Sequence, residues 1–352
     1  VSETIRIQSH SGPYEVRFAD DAVVLPPNAH VIMDERVAAL HPQRLAQALA
    51  APSLLMLPAT EDAKSLERMP GYVNHLVAQG LRRDHVLVAI GGGIIQDITC
   101  FLSATMLRGV PWQFWPTTLL AQADSCIGSK SSINCGGAKN ILGTFTPPAK
   151  VTIASGFLDT LDQRDLRSGI GEILKVLAIA GSGAFDALAG RFDDLLTDRA
   201  LLQNYIREAL LVKKGYIEQD EFDRGPRLVF NYGHSFGHAI EAATDFAIPH
   251  GIAVTLGMDM ANFVAARLGV ASDAPFRRMH PVLRANYAGF ETTPIPVDRL
   301  MAALAKDKKN TGAGSVTLIL PDAEGKISRG THAADEGLTQ AVADFLAVEC
   351  RR

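Results

Sequence analysis

A change of periodicity near the middle of the chain limits its fold more than any other feature. Up to about residue 155, short β-rich runs alternate with helical segments, and Val31 to Met33, Ser53 to Leu57, Val86 to Ile90, Trp112 to Trp115 and Val151 to Ala154 read as strands. Strands separated by helices are βαβ grammar, because parallel neighbours need a long crossover, so this half predicts a Rossmann-like, mostly parallel sheet. After about residue 156 the strand signals thin out. Segments rich in Ala, Leu, Glu and Arg at helical spacing take over, including Leu166 to Ile179, Asp198 to Ile217 and Ile252 to Leu268. One late run, Ser315 to Leu320, ends at Pro321 and reads as a strand or hairpin arm. The expected fold class is therefore α/β plus all-α, with a sheet domain over 1–155 and a helical domain over 156–352.

With 352 residues the chain is long enough for two domains, each with its own core. A content of 47% hydrophobic and 20% charged residues excludes a disordered chain. The charge sum is 34 − 38 = −4, so no global field draws the protein to nucleic acid or anionic lipid, and any phosphate must be held by local groups. The apolar stretch Val86 to Ile95 contains three glycines and falls well short of the roughly 20 residues of a membrane span. The N-terminal VSETIRIQSH has no secretory pattern, which makes the cytoplasm the expected compartment. Cys100, Cys126, Cys135 and Cys350 lack CxxC spacing and read as free thiols.

In VLVAIGGGIIQD, Gly91, Gly92 and Gly93 follow a buried-strand pattern and precede a helical one. There the missing side chains let backbone N–H groups approach a phosphate at a helix N-terminus, although the same run serves tight strand-to-helix packing equally well. Asp34, at the end of an earlier strand, suits ribose hydroxyls or simply a turn. The stretch from Pro116 to Asn140 is polar and glycine-bearing and reads as a binding loop. Its Lys130, Lys139 and Asn140 suit a small phosphate held by charge-assisted hydrogen bonds.

The helical half carries Glu172, the pair His234 and His238, and His250. Histidines four apart share a helix face, but Ser-Phe-Gly lies between them, so the glutamate of an HExxH metalloprotease is absent. Two histidines and a carboxylate suit a divalent cation such as zinc, with positions left open for substrate oxygens. A lone histidine is more often an ordinary hydrogen-bonded residue; here three of the ten histidines fall within 17 positions, each beside a glycine. Lys175, Lys213, Arg227 and Asn231 lie around this cluster in sequence, and metal, cations and dinucleotide together suit an anionic polyol.

These residues carry a resemblance to the dehydroquinate synthase family of sugar phosphate cyclases. It runs over most of the chain, through GGGxxxD (Gly91 to Asp97), LRG with Arg108, PTTLLAQADS (Pro116 to Ser125), Lys130, and KN (Lys139, Asn140). It continues in RSGxxExxK (Arg167 to Lys175), DExDxGxR (Asp220 to Arg227), NxGHSFGHAIE (Asn231 to Glu241), HGxAVxxGM (His250 to Met258) and DKK (Asp307 to Lys309). The resemblance implies an NAD-binding N-terminal domain, a helical metal-binding domain, and an active site between them. Glu172, His234 and His250 would hold the metal, zinc or another divalent cation such as cobalt, and His238 would serve the substrate phosphate or proton transfer. Asp34, Glu61, Lys64, Gly92, Gly93, Asp97, Thr117, Thr118, Lys130, Lys139 and Thr160 would line the NAD site. Lys130, Asn140, Asn231 and His238 would surround phosphate, Arg227 and Lys213 would face a carboxylate, and Lys308 or Lys309 would complete the anion site. Asp124, Lys139 and Lys175 would lie near the reacting carbons, and Arg108 would reach the site of a second subunit in a homodimer.

The implied reaction converts a phosphorylated sugar acid, 3-deoxy-D-arabino-heptulosonate 7-phosphate, to 3-dehydroquinate. It proceeds by transient oxidation, loss of phosphate, re-reduction, ring opening and intramolecular aldol closure. Departures from the commonest pattern of the family, Gln96, Ser129, Ser131, Ser132, Asp223 and Ile252, leave a sister cyclase acting on a sugar such as sedoheptulose 7-phosphate as an alternative. A metal-dependent polyol dehydrogenase of the same fold is a second alternative. Lys213, Arg227 and Asn231 favour an acid substrate, because a buried cationic pocket without an anion is costly.

Overall fold

The computed structural model describes residues 4–19, 22–306 and 314–350. The chain divides into two compact units, Val1–Asp162 with Ile206–Asp223, and Gln163–Tyr205 with Arg224–Arg352.

The first unit is built on seven strands: β1 (Thr4–Ile7), β2 (Tyr14–Phe18), β3 (Ala29–Asp34), β4 (Leu54–Leu57), β5 (Val86–Gly91), β6 (Trp112–Pro116) and β9 (Lys150–Ile153). Their spatial order is β1-β2-β9-β6-β5-β3-β4. All neighbours run parallel except the β1–β2 hairpin at one edge. The interior strand β5 is buried from Leu87 to Gly91, as expected of a strand covered on both faces, whereas edge strand β1 alternates exposed and buried residues. Val31, Met33, Val88, Ile90 and Trp115 form one face of the core. Helices α1 (Glu35–Leu40), α2 (Ala46–Leu49), α3 (Met69–Ala78) and α4 (Gly93–Thr105) connect the strands. A second hairpin, β7 (Ile133–Cys135) with β8 (Ala138–Leu142), occupies part of the segment expected to be a loop. Every residue of β8 is exposed, so its sequence carries no buried-exposed alternation that would mark it as a strand.

The second unit contains α5 (Gln163–Ala180), α6 (Ser182–Ala189), the start of α7 (Arg199–Gln219), α8 (His234–Ala243), α9 (His250–Arg267), α10 (Ala274–Asn286), α11 (Val297–Ala305) and α12 (Glu336–Asp344). Helix α9 is buried without interruption from Gly251 to Ala265 and is packed by α5, α8 and α10, which makes it the axis of this unit. The expected arm at Ser315 pairs as β10 (Ser315–Pro321) with β11 (Ile327–Ala333).

The compact units differ from a single division at 155/156. The first runs on to Asp162, and 206–223 belongs with the sheet. One continuous helical pattern covers α7, so nothing in it marks the passage from one unit to the other at Tyr205.

Candidate functional site

In the helical unit, glycines set the geometry. A Cβ on Gly251 would overlap the Ser168 carbonyl, and one on Gly171 would overlap the carbonyl of Gly251, so α5 and α9 touch backbone to backbone at that crossing. The residues beside these glycines, Glu172 and His250, are thereby brought together. Helices α8 and α9 approach in the same way where Gly257 meets Gly233 and Gly237, which puts His234 and His238 against the start of α9.

The side chains converge. His234 Nε2 lies 3.6 Å and His250 Nε2 3.4 Å from Glu172 Oε1. The ring centroids of His238 lie 5.3 Å from His234 and 5.6 Å from His250, and one ligand atom from each of these three histidines falls within 4.8 Å of the others. A carbonyl can only accept, so His234 Nδ1 donates to the Tyr232 carbonyl at 3.3 Å and leaves its Nε2 lone pair aimed at Glu172. His250 Nδ1 likewise donates to Glu241 Oε2 at 3.2 Å. Lys175 Nζ stands 2.5 Å from Glu172 Oε2 and 5.6 Å from the Phe230 ring centroid.

Charge follows this geometry. Burial works against ionising Glu172, yet Lys175 and the two imidazoles outweigh it and hold the carboxyl well below its usual range. Burial, reinforced by Lys175, holds His234 well below the usual imidazole range. Burial also opposes a charge on His250, but its bonds to Glu172 and Glu241 prevail and push it up to about 10.

The donor set fits a divalent cation. Two ligand atoms bound tetrahedrally at 2.0–2.1 Å stand about 3.4 Å apart, which matches the separations from Glu172 Oε1 to both Nε2 atoms. Both rings are already turned by acceptors on Nδ1, as imidazole ligands to zinc usually are. His238, expected to serve phosphate or proton transfer, lies beside the other two imidazoles. Of the remaining expected residues in this unit, Arg227 is buried and Asn231 donates to the Leu228 carbonyl at 3.0 Å; both lie in the turn Pro226–Asn231. Lys308 and Lys309 lie outside the described residues.

In the sheet unit, Asp34 ends β3 and caps α1 by accepting from the Arg36 N–H at 2.9 Å, while burial raises its pKa. Gly92 precedes α4 without a side-chain cap; a Cβ on Gly93 would meet nothing within 4 Å, whereas one on Gly92 would lie 3.0 Å from the Thr118 methyl group. Thr117 is 2% exposed, and its hydroxyl finds no hydrogen-bond partner among the described residues. An orphaned buried hydroxyl fits a site that a polar cofactor completes. Thr118 accepts from the Ala121 N–H at 3.2 Å, and Thr160 Oγ1 lies 2.7 Å from His41 Nε2.

Lys64 unites several expected residues. Its buried ammonium donates to Asp97 Oδ2 and to Asn140 Oδ1, both at 3.0 Å, and stands 3.7 Å from Glu61. Burial pushes Asp97 up to about 6 against the opposing pull of Lys64 and the Ser132 N–H. Asn134, outside the residues expected from the sequence, donates to Glu61 Oε2 and accepts from the Asn140 N–H, joining the hairpin to this network. Lys139, also on β8, is exposed.

Lys213 falls on the buried stripe of α7 with Ile206, Leu210 and Ile217, and its ammonium lies 2.8 Å from Asp124 Oδ1 and 2.6 Å from the Asp124 carbonyl. Lys213 is therefore not a buried cation lacking an anion, because Asp124 balances its charge, and the preference for an acid substrate falls to Arg227 and Asn231. Lys130 pairs with Asp223, and Ser129 with Glu221. Gln96 and Ser125 bond to each other twice, Gln96 Nε2 to the Ser125 carbonyl and Ser125 Oγ to Gln96 Oε1. Arg108 sits in a left-handed turn with Leu107 and Gly109.

The fold is that of the sugar phosphate cyclases. A 2-epi-5-epi-valiolone synthase from Streptomyces hygroscopicus subsp. jinggangensis 5008, solved with NAD+ and Zn2+ bound, matches with a TM-score of 0.82 and 28% identity over 95% of this chain and 96% of that one. Family profiles narrow this class, 3-dehydroquinate synthase N-terminal over residues 54–168 and 3-dehydroquinate synthase C-terminal over 169–310. A 3-dehydroquinate synthase of Paracoccus denitrificans is 34% identical over 87% of this chain and 89% of its own length. Another, from Dictyoglomus thermophilum, is 36% identical over 78% and 77%. The chain belongs to the 3-dehydroquinate synthase family.

Proposed function

We propose that this protein is a phosphate-eliminating cyclase that converts 3-deoxy-D-arabino-heptulosonate 7-phosphate to 3-dehydroquinate and inorganic phosphate. NAD is used and restored, and a divalent ion, zinc or cobalt, is held in the helical unit. The observation that carries the reading is the convergence of both Nε2 atoms on Glu172 Oε1, a preformed three-ligand set in a chain whose relatives bear this enzyme's name.

Glu172, His234 and His250 hold the ion, and Gly92, Gly93, Thr117, Thr118, Asp34, Glu61, Lys64, Asp97, Lys130, Lys139 and Thr160 serve the nucleotide. When bound, the ion supplies Lewis acidity toward substrate hydroxyls, and the nucleotide supplies a reusable hydride acceptor. Lys175 places a fixed positive charge where negative charge develops during C–H removal, which matters more in a buried setting than in water. His238, adjacent to both metal-binding imidazoles, carries a proton or holds phosphate; such assistance is typically worth about 10²- to 10⁴-fold. Lys130, Asn140, Asn231 and Lys309 bind phosphate, Arg227 orients the carboxylate end, and Asp124, with Lys213 paired to it, and Lys139 act at the reacting carbons. Arg108 serves the partner subunit's site in a homodimer. Among the described residues, no helix is long and apolar enough to cross a membrane.

The test is phosphate release from the heptulosonate in the presence of NAD and zinc, with absorbance followed for NADH. Phosphate without net NADH is expected. Turnover of sedoheptulose 7-phosphate alone would move the assignment to a sister cyclase, and stoichiometric NADH would mark a dehydrogenase.

A further inference from the structure

We infer that Glu241 is the positioning residue that sets the metal affinity of the cluster, by holding His250 through its Nδ1. The inference rests on the metal site proposed above. His250 is the first residue of α9, preceded by Pro249, so no earlier helical turn packs against its ring. The ring must be oriented from outside its own helix. Glu241 supplies this from α8, where it lies seven residues after His234 and three after His238, on the helix face that carries both.

The close α8–α9 approach at Gly233, Gly237 and Gly257 lets a glutamate side chain span the gap, and Glu241 Oε2 meets His250 Nδ1 at 3.2 Å. The Glu241 side chain is 12% exposed and that of His250 36%, and the carboxylate makes this a charge-assisted bond. His234 is held differently, through the neutral carbonyl of Tyr232. A charged acceptor makes an imidazole a more basic ligand than a neutral one does, so His250 is the ligand whose strength a side chain adjusts. Loss of such a partner typically weakens metal binding about 10- to 100-fold.

The experiment measures zinc affinity by chelator competition, and the Co2+ absorption spectrum, for the parent protein, Glu241→Ala and Glu241→Gln, alongside thermal unfolding of each metal-free form. Glu241→Ala should bind zinc about 10- to 100-fold more weakly and alter the Co2+ bands. Glu241→Gln, which can still accept from Nδ1, should recover part of the loss, and the metal-free proteins should unfold alike. If Glu241→Ala misfolds, a shift in Glu241→Gln alone decides the matter. Equal zinc affinity in parent and variants overturns the inference and leaves the metal site standing. A parent that holds no zinc overturns both.

Discussion

His250 Nε2 stands 3.4 Å from Glu172 Oε1, the separation of two atoms that share one small divalent ion. Replacing His250 with Ala should remove zinc from the purified protein, read as metal per chain by elemental mass spectrometry. Full occupancy in that variant would reject the ligand assignment.

Gly257 tests how the cluster is assembled. Alanine is the better helix former by about 1 kcal/mol, so an unobstructed site would gain stability from the change. Here a Cβ would lie 2.7 Å from the Gly237 nitrogen and overlap the Gly233 carbonyl, and backbone atoms cannot swing aside. Overpacking of this kind typically costs about 1–3 kcal/mol and should prevail. Gly257→Ala is expected to lower the unfolding temperature and weaken zinc binding together; a more stable variant with normal zinc affinity would contradict the close α8–α9 approach.

Thr117 separates a cofactor contact from a structural one. Its hydroxyl is buried without a partner, so Thr117→Val should leave stability unchanged or raised. If the hydroxyl awaits NAD, the variant loses one hydrogen bond of about 0.5–1.5 kcal/mol, and fluorescence titration should show NAD bound roughly 2- to 10-fold more weakly. An unchanged dissociation constant would remove Thr117 from the nucleotide site.

Asp97 predicts a pH dependence of stability. Its carboxyl is pushed from 3.8 up to about 6 in the folded protein, so between these values the folded state binds more protons than the unfolded one. Stability from this group is therefore full below 3.8 and is lost as pH rises through about 6. Urea unfolding across this range should give the parent a more negative slope of stability against pH than Asp97→Asn, which has no carboxyl to titrate there. Parallel curves would show that Asp97 titrates normally.

Much of the chemistry was legible because it lies in local patterns. The buried-strand run of β5 followed by Gly91 to Gly93 marked a strand-to-helix turn, and His234 and His238 shared a helix face by spacing alone. The β7–β8 hairpin was not legible: a strand exposed on both faces has no apolar period, and Ala138 to Leu142 reads like loop. Glu241 did carry a signal, its spacing from His234 and His238, but nothing in the sequence said that His250 would arrive beside it.

By itself, the sequence determined the alternation that makes a parallel sheet, the helical character of the second half, and the residue types able to bind metal and phosphate, since each depends on neighbours within a few positions. Tertiary structure decided which charges neutralise one another. Lys213 meets Asp124, Lys64 meets Asp97 and Asn140, and Glu241 turns His250, because such pairings depend on backbones brought together across long stretches of chain. At Gly171 and Gly251 that meeting is possible only because neither residue has a side chain, and the separation it allows is what sets Glu172 beside His250.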